Sequence, residues 1–294
     1  MSALSDVSSG PDKSVLNRII EEMKAELPAN KAARPESSLR DDAKWRPPVR
    51  DFSGALRKRG VGLIAEVKKG SPSKGPFAKD LDHLRTARLF RNVGAAAISV
   101  LTSRYFFAAN RELAEIAEAL HDNEQQAGLS CPPLLRKEFH FDPYQVLEAR
   151  ALGADAYLLI AKVLDAPRLR DLIAAGDALG MSAFVEVTDE AEIEMALAAT
   201  ASAGQPIVIG INNRDLHTFR EDLGTTERLR PLIPPDILVV AASGVRSFRA
   251  MQRMAAANVD AVLVGEALTT VDDPSAKVAE LFGGPLGGGG VGGD

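Results

Sequence analysis

Eight short apolar runs, rich in β-branched residues, recur along the chain: GLIAEV (62–67), AAISVLT (96–102), PLLRKEF (133–139), AYLLIAKV (156–163), SAFVEV (182–187), PIVIGIN (206–212), ILVVAAS (237–243) and AVLVGEAL (261–268). Segments with apolar residues at helical spacing lie between them, such as DPYQVLEARALG and DEAEIEMALAAT. Several runs are entered through a similar phrase: VGAAAI, LGADAY and NVDAV. Strands alternating with amphipathic helices imply βαβ units and a parallel sheet. Eight such units in about 220 residues predict an α/β protein of the (β/α)₈ TIM-barrel class. An open doubly wound sheet is the rival, but no G-x-G-x-x-G turn marks a dinucleotide site.

The flanks read differently. Residues 1–13 are small and polar, and GGPLGGGGVGGD (283–294) is a glycine tail, so both are expected to be disordered. SVLNRIIEEMKAEL (14–27) has helical periodicity with Ser14 as its N-cap, and residues 28–52 are polar and broken by prolines. Residues 14–60 are therefore read as a helical extension of one barrel domain spanning 14–282.

The chain of 294 residues is 46% hydrophobic and 26% charged, ordinary for a soluble globular protein. A net charge of −5 gives no basic surface for nucleic acid. The single cysteine, Cys131, excludes an internal disulfide framework and suits a reducing cytosol. No apolar run reaches the roughly 18 residues of a membrane helix, and MSALSDVSSGPDK lacks the apolar core of a signal peptide. A cytoplasmic protein without membrane or nucleic-acid partners is expected.

In such a barrel, active sites form at the C-terminal strand ends. The first run ends in Glu66-Val-Lys68, whose two charges share one face because strand side chains alternate. The third carries Lys137, the fifth ends in Glu186, and the sixth ends in Asn212, Asn213 and Arg214. A lone buried charge at a strand end more often closes an ion pair than performs chemistry. Two lysines, two glutamates and an asparagine converging on one mouth point instead to a shared ligand.

SGVRS (243–247) and VGEAL (264–268) each place a glycine, Gly244 and Gly265, where a strand meets a helix. Loops seven and eight of this fold commonly grip phosphate through backbone N–H groups. GSPSKG (70–75) after the first strand is either a further phosphate loop or a flexible cover on the mouth. His83, His121, His140 and His217 lack metal-ligand spacing, so solvated or capping roles are expected. Cys131 has no nearby base, and there is no HExxH, G-x-S-x-G or Walker A motif. No metal or other cofactor is expected.

The phrases LIAEVKKGSPSKG, ISVLTSRYFF, LLRKEFHFDPYQVLEARALGADAYLLI, FVEVTDEAE, IGINNRDLHTF and VDAVLVGEAL closely resemble the indole-3-glycerol phosphate synthases of tryptophan biosynthesis, over roughly residues 14–282. The resemblance implies a carbon–carbon lyase on a (β/α)₈ barrel whose N-terminal helices lie over the mouth. It implies closure of the indole ring of 1-(2-carboxyphenylamino)-1-deoxyribulose 5-phosphate, with release of CO₂ and water. By motif, Lys137 is implied as the acid that protonates the substrate carbonyl. Lys68 is implied to contact the carboxylate or phosphate and to serve as the acid for dehydration. Glu186 is implied to stabilise the cationic intermediate or to act as base, with Glu66, Asn212 and Ser243 orienting hydroxyls and lysines. Gly244, Gly265, Arg214, Glu266 and Ser71 are implied at the phosphate and substrate contacts, with Phe107 and Phe139 sandwiching the anthranilate ring. Two ammonium groups held close should also depress each other's pKa. A monomer or weak homo-oligomer is implied, with other tryptophan-pathway enzymes as candidate partners.

Three departures from the family pattern stand out. Its acid before the seventh-strand serine is here Ala242, its acid after LT is Ser103, and its Gly-Ser after the aromatics is AAN (108–110). These leave open a second reading, a diverged barrel that binds or scaffolds, or that acts slowly on a related phosphosugar.

Overall fold

The computed structural model describes residues 15–57, 60–72, 74–124, 131–200, 203–215 and 218–286. Ser14, His217, residues 1–13 and all but the first four residues of the glycine tail lie outside them. Of the tail, Gly283 ends the last helix in the left-handed region, and Leu286 packs against the core.

Eight parallel strands close into a barrel in chain order: β1 (Gly62–Val67), β2 (Ala97–Leu101), β3 (Leu134–Lys137), β4 (Ala156–Ile160), β5 (Ser182–Val187), β6 (Val208–Asn212), β7 (Leu238–Ala242) and β8 (Ala261–Val264), with β8 returning to β1. Each observed strand falls within a predicted run. The recurring phrases before the strands turn out to be helix endings. Gly94, Gly153 and Asn258 all adopt positive φ there, the left-handed residue that stops a helix. Asp155 and Asp260 then tie each turn to the neighbouring strand, accepting from Leu134 N and Val239 N at 2.8 Å.

Acidic and hydroxyl caps start the outer helices. Asp82 opens α4 (His83–Asn92), Asp142 with Pro143 opens α6 (Pro143–Ala151), and Asp165 opens α7 (Ala166–Asp177). Between α4 and α6 lies α5 (Asn110–Ile116), which continues as a π-helical segment over Ala117–Glu124. Next come α8 (Glu190–Thr200) and α9 (Gly224–Leu229). Ser247 caps α10 (Phe248–Ala256), Gly265 precedes the short α11 (Glu266–Thr269), and Asp273 caps α12 (Pro274–Phe282).

The extension wraps the barrel from mouth to base with α1 (Val15–Ala33), α2 (Glu36–Trp45) and α3 (Phe52–Leu56). The polar stretch 28–52, part of the expected helical extension, is largely helical despite its prolines. Helix α1 runs through Pro28 because α6 supports its end: Tyr144 Oη donates to the Asn30 and Arg34 carbonyls, and Lys31 pairs with Asp142. Leu39 of α2 is buried against Tyr144, Leu147 and Ala151. Helix α3 plugs the base, where Phe52 meets Phe184 of β5 edge-on at 6.5 Å. Phe184 fills the barrel interior because Gly210 leaves it room; a Cβ at Gly210 would lie 2.3 Å from its ring.

Candidate active site

Strand register places the polar residues on the inward face at the mouth. Glu66 pairs with Ser99, Lys137 with Leu101, Glu186 with Ile160 and Asn212 with Ala242. Lys137 Nζ donates to Glu186 Oε2 at 3.3 Å, although β4 separates their strands, so the contact crosses the interior. Asn212 Nδ2 donates to the other oxygen, Glu186 Oε1, at 3.0 Å. Lys68 Nζ lies 3.5 Å from Glu66 Oε1, and Ser99 Oγ donates to Glu66 Oε2 at 3.5 Å. Glu66, Glu186 and Asn212 are all buried. The sequence thus brings Glu66, Lys68, Lys137, Glu186 and Asn212 together as expected.

The two lysines are not equivalent. Burial alone would lower the Lys137 pKa, but Glu186 and Glu66 outweigh it and hold it above the ordinary lysine value. Burial pulls Lys68 below that value against the opposing Glu66, and Arg214 and Lys137 add to the fall. The expected mutual depression therefore holds for Lys68 alone, because Lys137 faces two carboxylates.

A cavity of about 120 Å³ sits over these groups, lined on the apolar side by Leu16 and Ile19 of α1, Phe106, Phe139 and Phe219. Phe106 and Phe139 face each other at 6.1 Å, and Lys68 Nζ lies 5.4 Å from the Phe106 ring. Phe107, expected in this wall, is not part of it. Arg104–Phe106 forms a single 3₁₀ turn capped by Phe107 at φ 60°, which turns the Phe107 ring outward to 42% exposure and onto Gly70. Nothing in the sequence alone distinguishes the two adjacent phenylalanines. The apolar stripe of α1, by contrast, was visible in the periodicity of 14–27.

The loop GSPSKG is a small hairpin pairing Gly70–Ser71 with Gly75–Pro76, and Ser73 lies outside the described residues. Ser71 is buried, accepts from Lys74 N at 3.3 Å and does not line the cavity, whereas Pro72 does. Glu138 also reaches the cavity wall; it is buried and accepts from Thr102 Oγ1 at 2.9 Å and Phe139 N at 3.0 Å. Burial raises its pKa against the opposing Arg136.

A second, smaller cavity adjoins the first between the ends of β7 and β8, lined by Lys68, Arg214, Gly244, Arg246, Gly265 and Glu266 among others. Ser243, at φ 67°, and Arg214 line both cavities. Gly244 sits at φ 81° against Leu223.

The three described histidines are less exposed than expected. His83 pairs with Glu115 at 2.6 Å, His121 is buried against the Pro132 carbonyl, and His140 is buried against the Leu158 carbonyl. Cys131 donates to the Leu120 carbonyl at 2.8 Å, and burial raises its thiol pKa.

The sequence model of indole-3-glycerol phosphate synthase matches residues 16–281. The chain belongs to that family. It is 45% identical over 273 residues to the indole-3-glycerol phosphate synthase of Roseiflexus sp. (strain RS-1), covering 92% of this chain and 98% of that protein. It is 44% identical over 271 residues to the synthase of Dehalococcoides mccartyi (strain CBDB1), covering 91% and 100%. Among solved structures it resembles 3-hexulose-6-phosphate synthase from Salmonella typhimurium, with TM-score 0.54 at 14% identity over 75% of this chain and 96% of that one. That likeness concerns the barrel fold alone. Family membership makes the chain a lyase of tryptophan biosynthesis, and no helix among the described residues is long and apolar enough to cross a membrane.

Proposed function

We propose that the chain closes the indole ring of 1-(2-carboxyphenylamino)-1-deoxyribulose 5-phosphate. The observation that carries this reading is the pairing of two differently tuned lysines in one cavity with an aromatic wall. Lys137 is held by Glu186, Lys68 lies beside Glu66, and both lysines line one cavity with Phe106 and Phe139.

In the first step the ring carbon bearing the carboxylate attacks the ribulose carbonyl, and a C–C bond forms. Lys137, kept as ammonium by Glu186 and Glu66, donates a proton to the carbonyl oxygen. The ring's positive charge, shared with the aryl nitrogen, faces the Glu186 carboxylate. Breaking the bond to the carboxylate releases CO₂ and returns the electron pair to the ring. Lys68, which parts with its proton more readily, protonates the new hydroxyl, which leaves as water. Glu186 takes the last proton as the five-membered ring becomes aromatic. Two protons are given and one recovered, so one is taken up from solvent.

Asn212 orients Glu186. Gly244, Gly265, Arg214 and Ser243 line the space that suits the phosphate, next to Lys68 and Glu266. Ser71 supports this end through the turn that carries Lys74.

The test is indole fluorescence when purified protein meets the anilino-deoxyribulose phosphate, combined with rescue of a tryptophan auxotroph lacking its synthase. Wild type should rescue and Lys137→Ala should not. A folded protein that gives no product at high concentration would leave only a binding role.

A further inference from the structure

The cavity between β7 and β8 has a volume of about 40 Å³, and carboxylates already answer its cations. Glu221 holds two arginines at once. An isolated antiparallel bridge sets it beside Arg214, whose guanidinium it accepts, and Arg246 reaches it through Nε at 3.2 Å and Nη2 at 2.9 Å. The third arm of Arg246, Nη1, donates to Glu266 Oε1 at 3.0 Å, an oxygen it shares with Lys74 Nζ. Burial would raise the Glu266 pKa, but Lys74 and Arg246 outweigh it, so Glu266 stays charged.

A phosphate dianion entering this space meets two carboxylates as well as the cations. It binds only if some cation changes partner. Arg214 is fixed by its backbone bridge. Arg246 is the better placed: its side chain is 43% exposed, and Nε with Nη2 can keep the two-point grip on Glu221 while Nη1 turns.

We propose that Arg246 is a phosphate-selecting residue, oriented by Glu221 and held in the free protein by Glu266, from which the substrate's phosphate takes it. This rests on the phosphate reading above. Glu266 is then a stand-in for the phosphate, and Glu221 a positioning residue.

The experiment is a calorimetric titration of the full chain with inorganic phosphate, paired with steady-state kinetics on the phosphorylated substrate. Arg246→Gln should weaken phosphate by about ten-fold and raise KM similarly, with kcat changed less than about three-fold. Arg246→Lys, which keeps charge but not the two-point grip, should fall between. Glu266→Gln should tighten inorganic phosphate by about two-fold or more, because the competitor has lost its charge. Equal phosphate affinity in wild type and Arg246→Gln, or no phosphate binding by wild type, overturns the proposal. Lower thermal stability of Arg246→Gln with unchanged phosphate affinity would show a merely structural clamp. Should the wild type make no indole product, the phosphate titration still decides the role of Arg246, so the two readings fail separately.

Discussion

Gly265 and Glu66 touch so closely that a Cβ on Gly265 would stand 2.5 Å from Glu66 Oε1 and 3.2 Å from Glu66 Cβ. The glycine leaves space for the carboxylate that faces Lys68. Gly265→Ala should therefore push Glu66 off Lys68 rather than merely crowd a phosphate. The expected result is a fall in kcat of about ten-fold or more, roughly 1.4 kcal/mol in the barrier, with a melting temperature within a few degrees of wild type. Steady-state kinetics and a thermal melt check it; an unchanged kcat with a collapsed melting temperature would mark a packing glycine only.

The aromatic wall gives a second prediction. Phe106 lines the cavity against Phe139 and under Lys68, whereas Phe107 packs outside on Gly70. Phe106→Ala should raise KM by about ten-fold, consistent with the loss of a stacked ring worth roughly 1–1.5 kcal/mol. Phe107→Ala should alter KM by less than about two-fold. A larger effect at Phe107 would require the loop to turn over on binding substrate.

That pair also marks where the sequence becomes unreadable. The strands were legible because both of their faces are buried and five of them, β1, β2, β4, β5 and β8, follow a left-handed stop such as Gly153 or Asn258. Period-two alternation then put Glu66 with Lys68 on one face without any coordinates. Phe106 and Phe107 fall in an irregular turn, where one positive φ decides which ring looks inward. Helix α1 passed through Pro28 because Tyr144 and Asp142, more than a hundred residues away in sequence, hold its end. The raised pKa of Lys137 depends on Glu186 across the barrel. Glu221 could not be seen as a partner of Arg246 until a loop bridge had brought it beside Arg214. In each case a long-range contact overrides a local pattern.

Acid stability follows from buried groups outside the catalytic set. Burial pushes His121 and His140 down to about 3, while burial raises Asp155 to about 6. Between pH 3 and 6.5 the folded chain holds fewer protons on each histidine than the unfolded chain, so stability falls as pH drops through that window. Asp155 works the other way, holding an extra proton when folded between its ordinary value and pH 6, so it offsets part of the loss. Two histidines against one aspartate leave a net decline of up to about 1.4 kcal/mol per pH unit. Urea unfolding between pH 6.5 and 4 should show it. Asp155→Asn, less stable overall because Asp155 accepts from both Arg50 N and Leu134 N, should decline more steeply. An unchanged slope would mean that Asp155 takes up no proton on folding.

Ala242 stands where the resemblance leads one to expect an acid before the seventh-strand serine, and the structure defines its surroundings. It is 2% exposed at the end of β7, in register between Asn212 of β6 and Leu263 of β8, so its side chain faces inward at the level of Asn212. Lys68 has its pKa depressed by burial, with Arg214 and Lys137 adding to the fall against Glu66 and Glu266. A further carboxylate on this inward face would raise the Lys68 pKa and keep the ammonium available as a proton donor. It would also accept a hydrogen bond that no alanine can. Ala242→Glu should therefore raise kcat by about ten-fold, roughly 1.4 kcal/mol in the barrier, and move the alkaline limb of the kcat profile upward. KM should stay within about three-fold, because the phosphate cavity and the Phe106–Phe139 wall are untouched. The buried carboxylate should lower the melting temperature by a few degrees, since its charge is only partly repaid by Lys68. Ala242→Gln, matched in size but uncharged, should show the stability loss without the gain in rate. If Ala242→Glu lowers kcat or leaves it unchanged, then Glu66 and Glu186 already supply all the negative charge the lysines need, and a third carboxylate only crowds the mouth.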